Sequence, residues 1–374
     1  MKELSDNVVW KTQSLTKEAI TSLEDEWRNL AHDAIEKNVY LFPWFIEASL
    51  SLFDAKQPEV VLIYHQGLLI GLFLTEKDLG YAKIPIGFFR NALHPHQFLG
   101  TPLVRKHFAD QFTIGLFRWL DASPLSKSFL LLSQLSGDKE ITTAIHKISK
   151  TQGRQLLEID RFQRAMITLP THGTNPEGHL SASRKKSLKR KRKALSQLGE
   201  LSIEQLTSKD KLESWFEDFA RLENLGWKQQ KKTSIQENLA DVEFYRQMLP
   251  SAADDAALNF FRLTVNGKPI AYTLDLTCPP FVYCHRCAYD LSYKKYAPGV
   301  LMEYETLKIY NRMDFTAIVD SCTSPDNQMI NELWPNRKSI VTLAIAKKGI
   351  FFQTQFAIMQ SVKKLLLHDG KIAD

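Results

Sequence analysis

The stretch Tyr289-Asp290-Leu291-Ser292-Tyr293-Lys294-Lys295-Tyr296-Ala297-Pro298-Gly299-Val300-Leu301 is the point from which the rest of the chain can be placed. The apolar run Phe281 to Ala288 before it predicts a strand, and Val300, Tyr304 and Leu307 after it predict one face of a helix running to Met313. A helix start exposes unpaired backbone N–H groups and the positive end of the helix dipole, an arrangement suited to a pyrophosphate. Pro298, Gly299 and Val300 open that helix, Gly299 permits close backbone approach, and Lys294 and Lys295 add positive charge. The same residues also describe an ordinary helix start with two lysines on a solvated loop. Local sequence does not separate the two readings.

Outward from this stretch, the second half reads as helices at Lys211 to Leu225 and Glu237 to Leu249. A hairpin follows, Ala256 to Val265 and Pro269 to Leu276, turning at Asn266-Gly267, the dipeptide that best fits a two-residue β-turn. After the helix from Pro298 come a strand Thr316 to Val319, a helix Asp326 to Leu333 and a strand Ile340 to Ile345. The first half shows the same order. It has helices at Thr16 to Ala31 and Pro43 to Phe53, then a hairpin Val60 to Tyr64 and Leu68 to Leu74 turning at Gly67. A strand Tyr81 to Phe89 follows, then a helix starting at Pro102, a strand Phe129 to Leu132, a helix Glu140 to Lys150 and a strand Gln155 to Ile159. The expected class is α+β, one plan used twice, with mixed sheets flanked by helices. The expected domains are 1–165, 166–346 and an amphipathic C-terminal helix within 347–374.

The 374 residues exceed one ordinary core, and 44% hydrophobic with 11% aromatic residues excludes wholesale disorder. The net charge of +6 is concentrated: Arg184 to Lys193 reads RKKSLKRKRK, and without that decade the balance is 40 basic to 42 acidic residues, net −2. Leu188, Leu195 and Leu198 give this segment a thin apolar stripe, so Leu180 to Leu198 is expected as a helix with a cationic surface. It suits an anionic lipid surface, a polyanionic substrate, coenzyme phosphates or plain solvent. Specific nucleic-acid binding is not expected, because no nucleic-acid-binding pattern accompanies it. Four cysteines, all beyond residue 277, are too few for a disulfide scaffold and suit a reducing compartment. The start MKELSDNVVW has no apolar core of a leader, and Val60 to Leu74 falls short of a membrane span. A cytoplasmic protein is expected, with peripheral contact at the inner membrane surface left open.

Residues able to carry acid–base chemistry are Asp320 at the end of the strand Thr316 to Val319 and His285 within the strand before the helix. Asp320 also fits a cap or turn residue before Pro325, and His285 a satisfied core histidine. Cys284-His285-Arg286-Cys287 lacks the second pair of a zinc site, so no metal is expected. Cys322 reads as a buried thiol.

An ordered set of residues resembles a family. Ser183-Arg184-Lys185 opens the basic helix, which ends at Leu198-Gly199; Glu223 precedes Gly226-Trp227-Lys228, and Phe244-Tyr245 follow. Asn266-Gly267-Lys268-Pro269-Ile270-Ala271, Tyr289-Asp290, Pro298-Gly299, Asp320-Ser321-Cys322, Pro325-Asp326, Met329-Ile330, Leu333-Trp334 and Arg337 complete it. Over Leu180 to Ala346 this resembles the GNAT proteins of the CelD/BcsL type, associated with bacterial cellulose biosynthesis. The resemblance implies tandem GNAT-like domains with the first copy degenerate, and an acetyl-CoA-dependent N-acetyltransferase acting on an amine of a sugar, polysaccharide precursor or small metabolite. It further implies Asp320 in proton handling, Glu223 and Asp290 orienting substrate, and acetyl-CoA on Lys294, Lys295, Pro298, Gly299 and Val300. Ala297 replaces the Ser that commonly precedes Pro-Gly, and the ordinary R/Q-x-x-G-x-G/A phosphate motif is absent. Two alternatives stand beside this reading: a Fem-type aminoacyl transferase using aminoacyl-tRNA, and a non-catalytic scaffold docking on anionic membrane or a polysaccharide synthase.

Overall fold

A computed structural model describes residues 7–53, 57–81, 85–169 and 177–357. The chain divides into two compact units, Met1–Phe162 with Ser339–Asp374, and Gln163–Lys338.

Unit 1 runs β1 (Val8–Ser14), α1 (Lys17–His32), α2 (Pro43–Ser49), β2 (Glu59–His65), β3 (Leu68–Asp78), β4 (Phe88–Asn91), β5 (Leu103–Val104), α3 (Ala109–Ala122), β6 (Phe129–Ser136) and α4 (Glu140–Thr151). β7 (Leu156–Leu169) begins in unit 1 and ends in unit 2. Unit 2 continues with α5 (Ala182–Ser196), β8 (Leu201–Gln205), α6 (Leu212–Asn224), α7 (Trp227–Gln230), α8 (Leu239–Asp254) and β9 (Leu258–Val265). It is completed by β10 (Lys268–Cys278), β11 (Phe281–Tyr289), α9 (Pro298–Tyr310), β12 (Ala317–Asp320) and α10 (Gln328–Leu333). β13 (Asn336–Ala346) passes back into unit 1, where a helix over 350–357 follows.

The strand orders match. Unit 1 is ordered β1-β2-β3-β4-β6-β13 and unit 2 β8-β9-β10-β11-β12-β7. In each, one pair is parallel and joined by a crossover helix: β4 with β6 through α3, and β11 with β12 through α9. The last strand of each order is antiparallel, β13 on β6 and residues 166–169 of β7 on β12.

That last pairing corrects the expected domain limits. Residues 339–346 do not close the second copy. They pair with Phe129–Ser136 in unit 1, while Met166–Leu169 closes unit 2. Residues between 129 and 346 are too far apart in sequence for local pattern to reveal the pairing.

Other expectations shift locally. The helix expected at Pro102 begins at Ala109, because Leu103 and Val104 pair with Leu72 and Gly71 of β3, and Arg105 is tied to the Leu69 carbonyl and to Asp33. The strand expected over Tyr81 to Phe89 is Phe88–Asn91, and residues 82–84 lie outside the described residues. Edge strands β1 and β8 carry no apolar alternation strong enough to announce them. The C-terminal helix is present over 350–357, and the remainder of the expected span lies outside the described residues.

Elements with clear local signals form where expected. Thr16 caps α1 by accepting from the Ala19 N–H at 3.2 Å. Asn266 and Gly267, at φ 50° and 74°, make the turn between β9 and β10 that favours positive φ at both positions. The unit 2 core gathers Leu188 and Leu195 of α5, Phe261 and Leu263 of β9, and Leu301, Leu307 and Tyr310 of α9.

Candidate functional site

The site is built by the parting of β11 and β12. The two parallel strands pair only through Phe281–Ile318, Val282–Val319 and Tyr283–Asp320, after which the ladder ends. β11 runs on to Tyr289, and its other edge stays paired with β10 up to Ala271–Tyr289. Residues 284–289 therefore present a strand edge to the gap where β12 has diverged. A bulge deepens the break: Leu274 pairs with Arg286 and Asp275 with Cys284, so His285 is the extra residue.

α9 is the crossover between the parted strands, and its start lies at the end of β11. Ala297 is left-handed, at φ 52° and ψ 57°, and caps the helix without a side-chain bond. Pro298 has no N–H, the Leu301 N–H is used by the Ala297 carbonyl, and the amides of Gly299 and Val300 fall in the first turn, where a helix offers them no partner. There is no acidic residue in that turn. Lys294 and Lys295, both exposed, sit just upstream in a short 3-10 segment. A Cβ added to Gly299 would meet only the Tyr289 ring, at 3.5 Å, so packing within the protein does not require glycine there. Two amides, two ammonium groups and an absent side chain fit the diphosphate of a coenzyme.

One turn further along α9 lies Glu303, on the same side as Gly299 because i and i+4 stack on a helix. Glu303 is 7% exposed. Burial pushes its carboxyl up to about 8, with the neighbouring Asp275 carboxylate adding to the effect. Asp275 of β10 is fully buried and also pushed up by burial, to about 6, although hydrogen bonds from Tyr310 (2.5 Å) and Thr273 (3.0 Å) pull it back. No cation is within ion-pair distance of either carboxyl among the described residues. Burial therefore favours the protonated form of the carboxyls on this face of α9 and β10. Sequence reading missed both acids. Asp275 hides inside an apolar strand run, and Glu303 adjoins the apolar residues that mark the helix.

The four expected catalytic residues, Asp320, His285, Glu223 and Asp290, do not converge. Asp320 is 1% exposed; Arg164 meets it at 2.7 Å, Lys338 at 3.0 Å, and the Cys322 N–H at 3.1 Å. Burial alone would raise its carboxyl, but the Arg164 and Lys338 cations outweigh burial and hold it well below the usual carboxylate range. A carboxylate so pinned is a poor proton acceptor, and Asp320 instead anchors the end of β12.

Glu223 is equally committed. Lys228 (2.6 Å), Arg286 (2.7 and 3.0 Å) and the Ile235 N–H (2.9 Å) take up its oxygens. Burial would raise it, yet Lys228 and Arg286 keep it low. Its role is to tie the segment after α6 to β11, which the Arg286 bond to the Thr233 carbonyl (2.7 Å) and the Lys228 bond to the Cys287 carbonyl (2.9 Å) reinforce. Orienting substrate does not suit a group with no oxygen to spare.

His285 is buried with its Nε2 3.1 Å from the Tyr245 hydroxyl. Tyr245 belongs to α8, while Asp275 faces α9 through Tyr310, so the sheet stands between His285 and the buried acids. Asp290 caps the 3-10 segment by accepting from the Ser292 N–H at 2.9 Å and hydroxyl at 2.7 Å. Among the described residues no group of His, Cys, Asp and Glu side chains could hold a metal ion. None of the helices searched among the described residues is long and apolar enough to cross a membrane.

Comparison with known proteins bears on the fold. Residues 182–320 match the acetyltransferase (GNAT) domain family, a span that runs from α5 to the end of β12. Among solved structures, FemX is similar over 89% of this chain and 96% of its own, at 10% identity with a TM-score of 0.55. A conserved protein of unknown function from Bacteroides thetaiotaomicron is similar over 90% of this chain and 99% of its own, at 12% identity with a TM-score of 0.53. At such identities the likeness is one of fold. No curated protein matches the chain. The chain thus has the GNAT fold, and residues 182–320 carry the match to its acetyltransferase domain.

Proposed function

We propose that unit 2 is an acyl-CoA-dependent N-acyltransferase, with acetyl as the acyl group and an amine of a sugar, polysaccharide precursor or other small metabolite as acceptor. The observation that carries this reading is the parting of β11 from β12 beside the open start of α9. The acceptor class and the acetyl group follow from the resemblance to the CelD/BcsL type.

Bound acyl-CoA would supply an activated thioester carbon. The chain's own residues do the rest. The Gly299 and Val300 amides hold the diphosphate, and Lys294 and Lys295 offset its charge. Beyond Tyr283 the edge of β11, apart from the Cys287 carbonyl that Lys228 holds, offers backbone groups to an extended ligand, as a strand edge does to an added strand. Glu303, whose protonated form burial favours, donates a proton to the departing thiolate and recovers one from the attacking amine, the proton handling first expected of Asp320.

The test is release of free thiol from acetyl-CoA in the presence of amino sugars and small amines. Amine-dependent release supports the reading. Transfer from aminoacyl-tRNA without thiol release would replace it with the Fem-type alternative. No transfer from either donor, with acyl-CoA failing to stabilise the chain, would leave the scaffold reading.

A further inference from the structure

The basic helix α5 has a consistent geometry that the acyl-transfer site does not use. Leu188 and Leu195 are buried in the unit 2 core and use up its apolar stripe. Lys186, Lys189, Arg190 and Lys193 recur at i, i+3, i+4 and i+7 on the opposite side, and all four are exposed. Arg184 and Arg192, on the flank, pair with Glu332 at 3.0 Å and Glu305 at 3.3 Å. The four stripe cations have no ion pair among the described residues. Like charges three and four apart destabilise a helix, so folding gains nothing from this stripe.

Beside it lies a groove of about 290 Å³. Its floor is aliphatic, from Leu201 and Ile203 of β8, Leu263 of β9, and Leu301 and Ile309 of α9. Its rim is charged, from Arg192, Lys308, Arg312 and Glu305. Arg312 is exposed.

We propose that this face of unit 2 docks on the anionic headgroups of a phospholipid bilayer, with the α5 stripe flat on the headgroups and the groove accepting the glycerol and upper acyl segment of one lipid. Charge selects the partner, since a row of uncompensated cations is drawn to an anionic surface. The aliphatic floor selects lipid over nucleic acid, because no aromatic ring lines the groove to stack on a base. The rest of the chain is net −2, which disfavours a long polyanion extending past the helix. The contact is peripheral, since the apolar residues of α5 are already committed inward.

The experiment is co-sedimentation of the full chain with vesicles of phosphatidylcholine alone and of phosphatidylcholine with phosphatidylglycerol, at low and at high salt. Binding is expected only to the phosphatidylglycerol vesicles, and to fall as salt rises. The quadruple variant Lys186→Gln, Lys189→Gln, Arg190→Gln and Lys193→Gln should lower the partition coefficient on the order of a hundredfold or more, with a Tm no lower than that of the parent. Arg312→Gln should give a smaller loss. A control with Lys11, Lys150, Lys211 and Lys268 changed to Gln removes the same charge elsewhere and should retain most binding. Equal loss in the control would overturn the proposal. So would equal binding to phosphatidylcholine alone, unaltered binding by the stripe variant, or binding to transfer RNA with none to vesicles.

Discussion

The two units share one strand order and treat the gap between their parallel strands in opposite ways. In unit 1, β4 and β6 pair through Phe89–Leu130 and Arg90–Leu131, and the chain then seals the space itself. The Asn91 side chain donates to the Ser133 carbonyl at 2.9 Å and accepts from the Ser133 N–H at 2.8 Å. The Gly100 N–H donates to the Gln134 carbonyl at 2.8 Å, and the Ser136 N–H to the Thr101 hydroxyl at 2.8 Å. The crossover helix α3 carries Asp110 in its first turn, an unfavourable neighbour for a phosphate. In unit 2 the ladder between β11 and β12 ends, the first turn of α9 has no acid, and its buried face carries Glu303 where α3 buries Phe112, Leu116 and Phe117. One topology therefore supports either a gap bridged by side chains or one where the ladder simply ends, and a few side chains decide which.

The largest expected effect sharpens the unit 2 side. Asp320→Ala leaves Arg164 and Lys338 buried without their shared carboxylate and should cost about 3–5 kcal/mol in urea unfolding. If Asp320 were instead an exposed base, stability would hardly change and only turnover would fall.

Glu303→Gln comes next, and its sign depends on pH. Folding raises this carboxyl from 4.5 to about 8, so the folded chain holds the proton more tightly than the unfolded chain does. The resulting stability is fully present below about pH 4.5 and is lost as pH rises through about 8. The Gln variant should be more stable than the parent at pH 9 by several kcal/mol and nearly equal to it at pH 4. Its acyl transfer should fall, and the dependence of kcat on pH near 8 should disappear. A parallel stability curve for the two proteins would place the charge elsewhere.

The paired glycines test the comparison with smaller effects. A Cβ on Gly100 would overlap the Ser133 carbonyl oxygen and the Asn91 amide, so Gly100→Ala should cost about 1–3 kcal/mol. Gly299→Ala makes only ordinary contact with the Tyr289 ring and should change stability by less than about 0.5 kcal/mol. Gly299→Asp should keep the fold and abolish the thermal shift given by acetyl-CoA. Equal costs for the two alanine variants would remove the contrast between a sealed and an open gap.

Much of this fold was legible. Pro298 predicted the start of α9, Asn266-Gly267 the hairpin, and the basic decade a helix held by Leu188 and Leu195, because caps, turns and helical spacing act within a few residues. The exchange of last strands was not legible, since the pairing of 339–346 with 129–136 leaves no local mark. The site followed the same division. The segment proposed to hold the diphosphate lies in one short run, whereas the fate of Asp320 was set by Arg164, distant by 156 residues, and Glu303 gained its character only from burial against Asp275.

The central claim is that the gap of unit 2 is open to acyl-CoA and that of unit 1 is not. Amide hydrogen exchange with and without saturating acetyl-CoA tests this most directly. The account predicts slowed exchange over residues 284–289 of β11 and at Gly299 and Val300, none over 91–101 of unit 1, and loss of the effect in Gly299→Asp. Protection centred on 91–101, or no protection at saturating ligand, would contradict it.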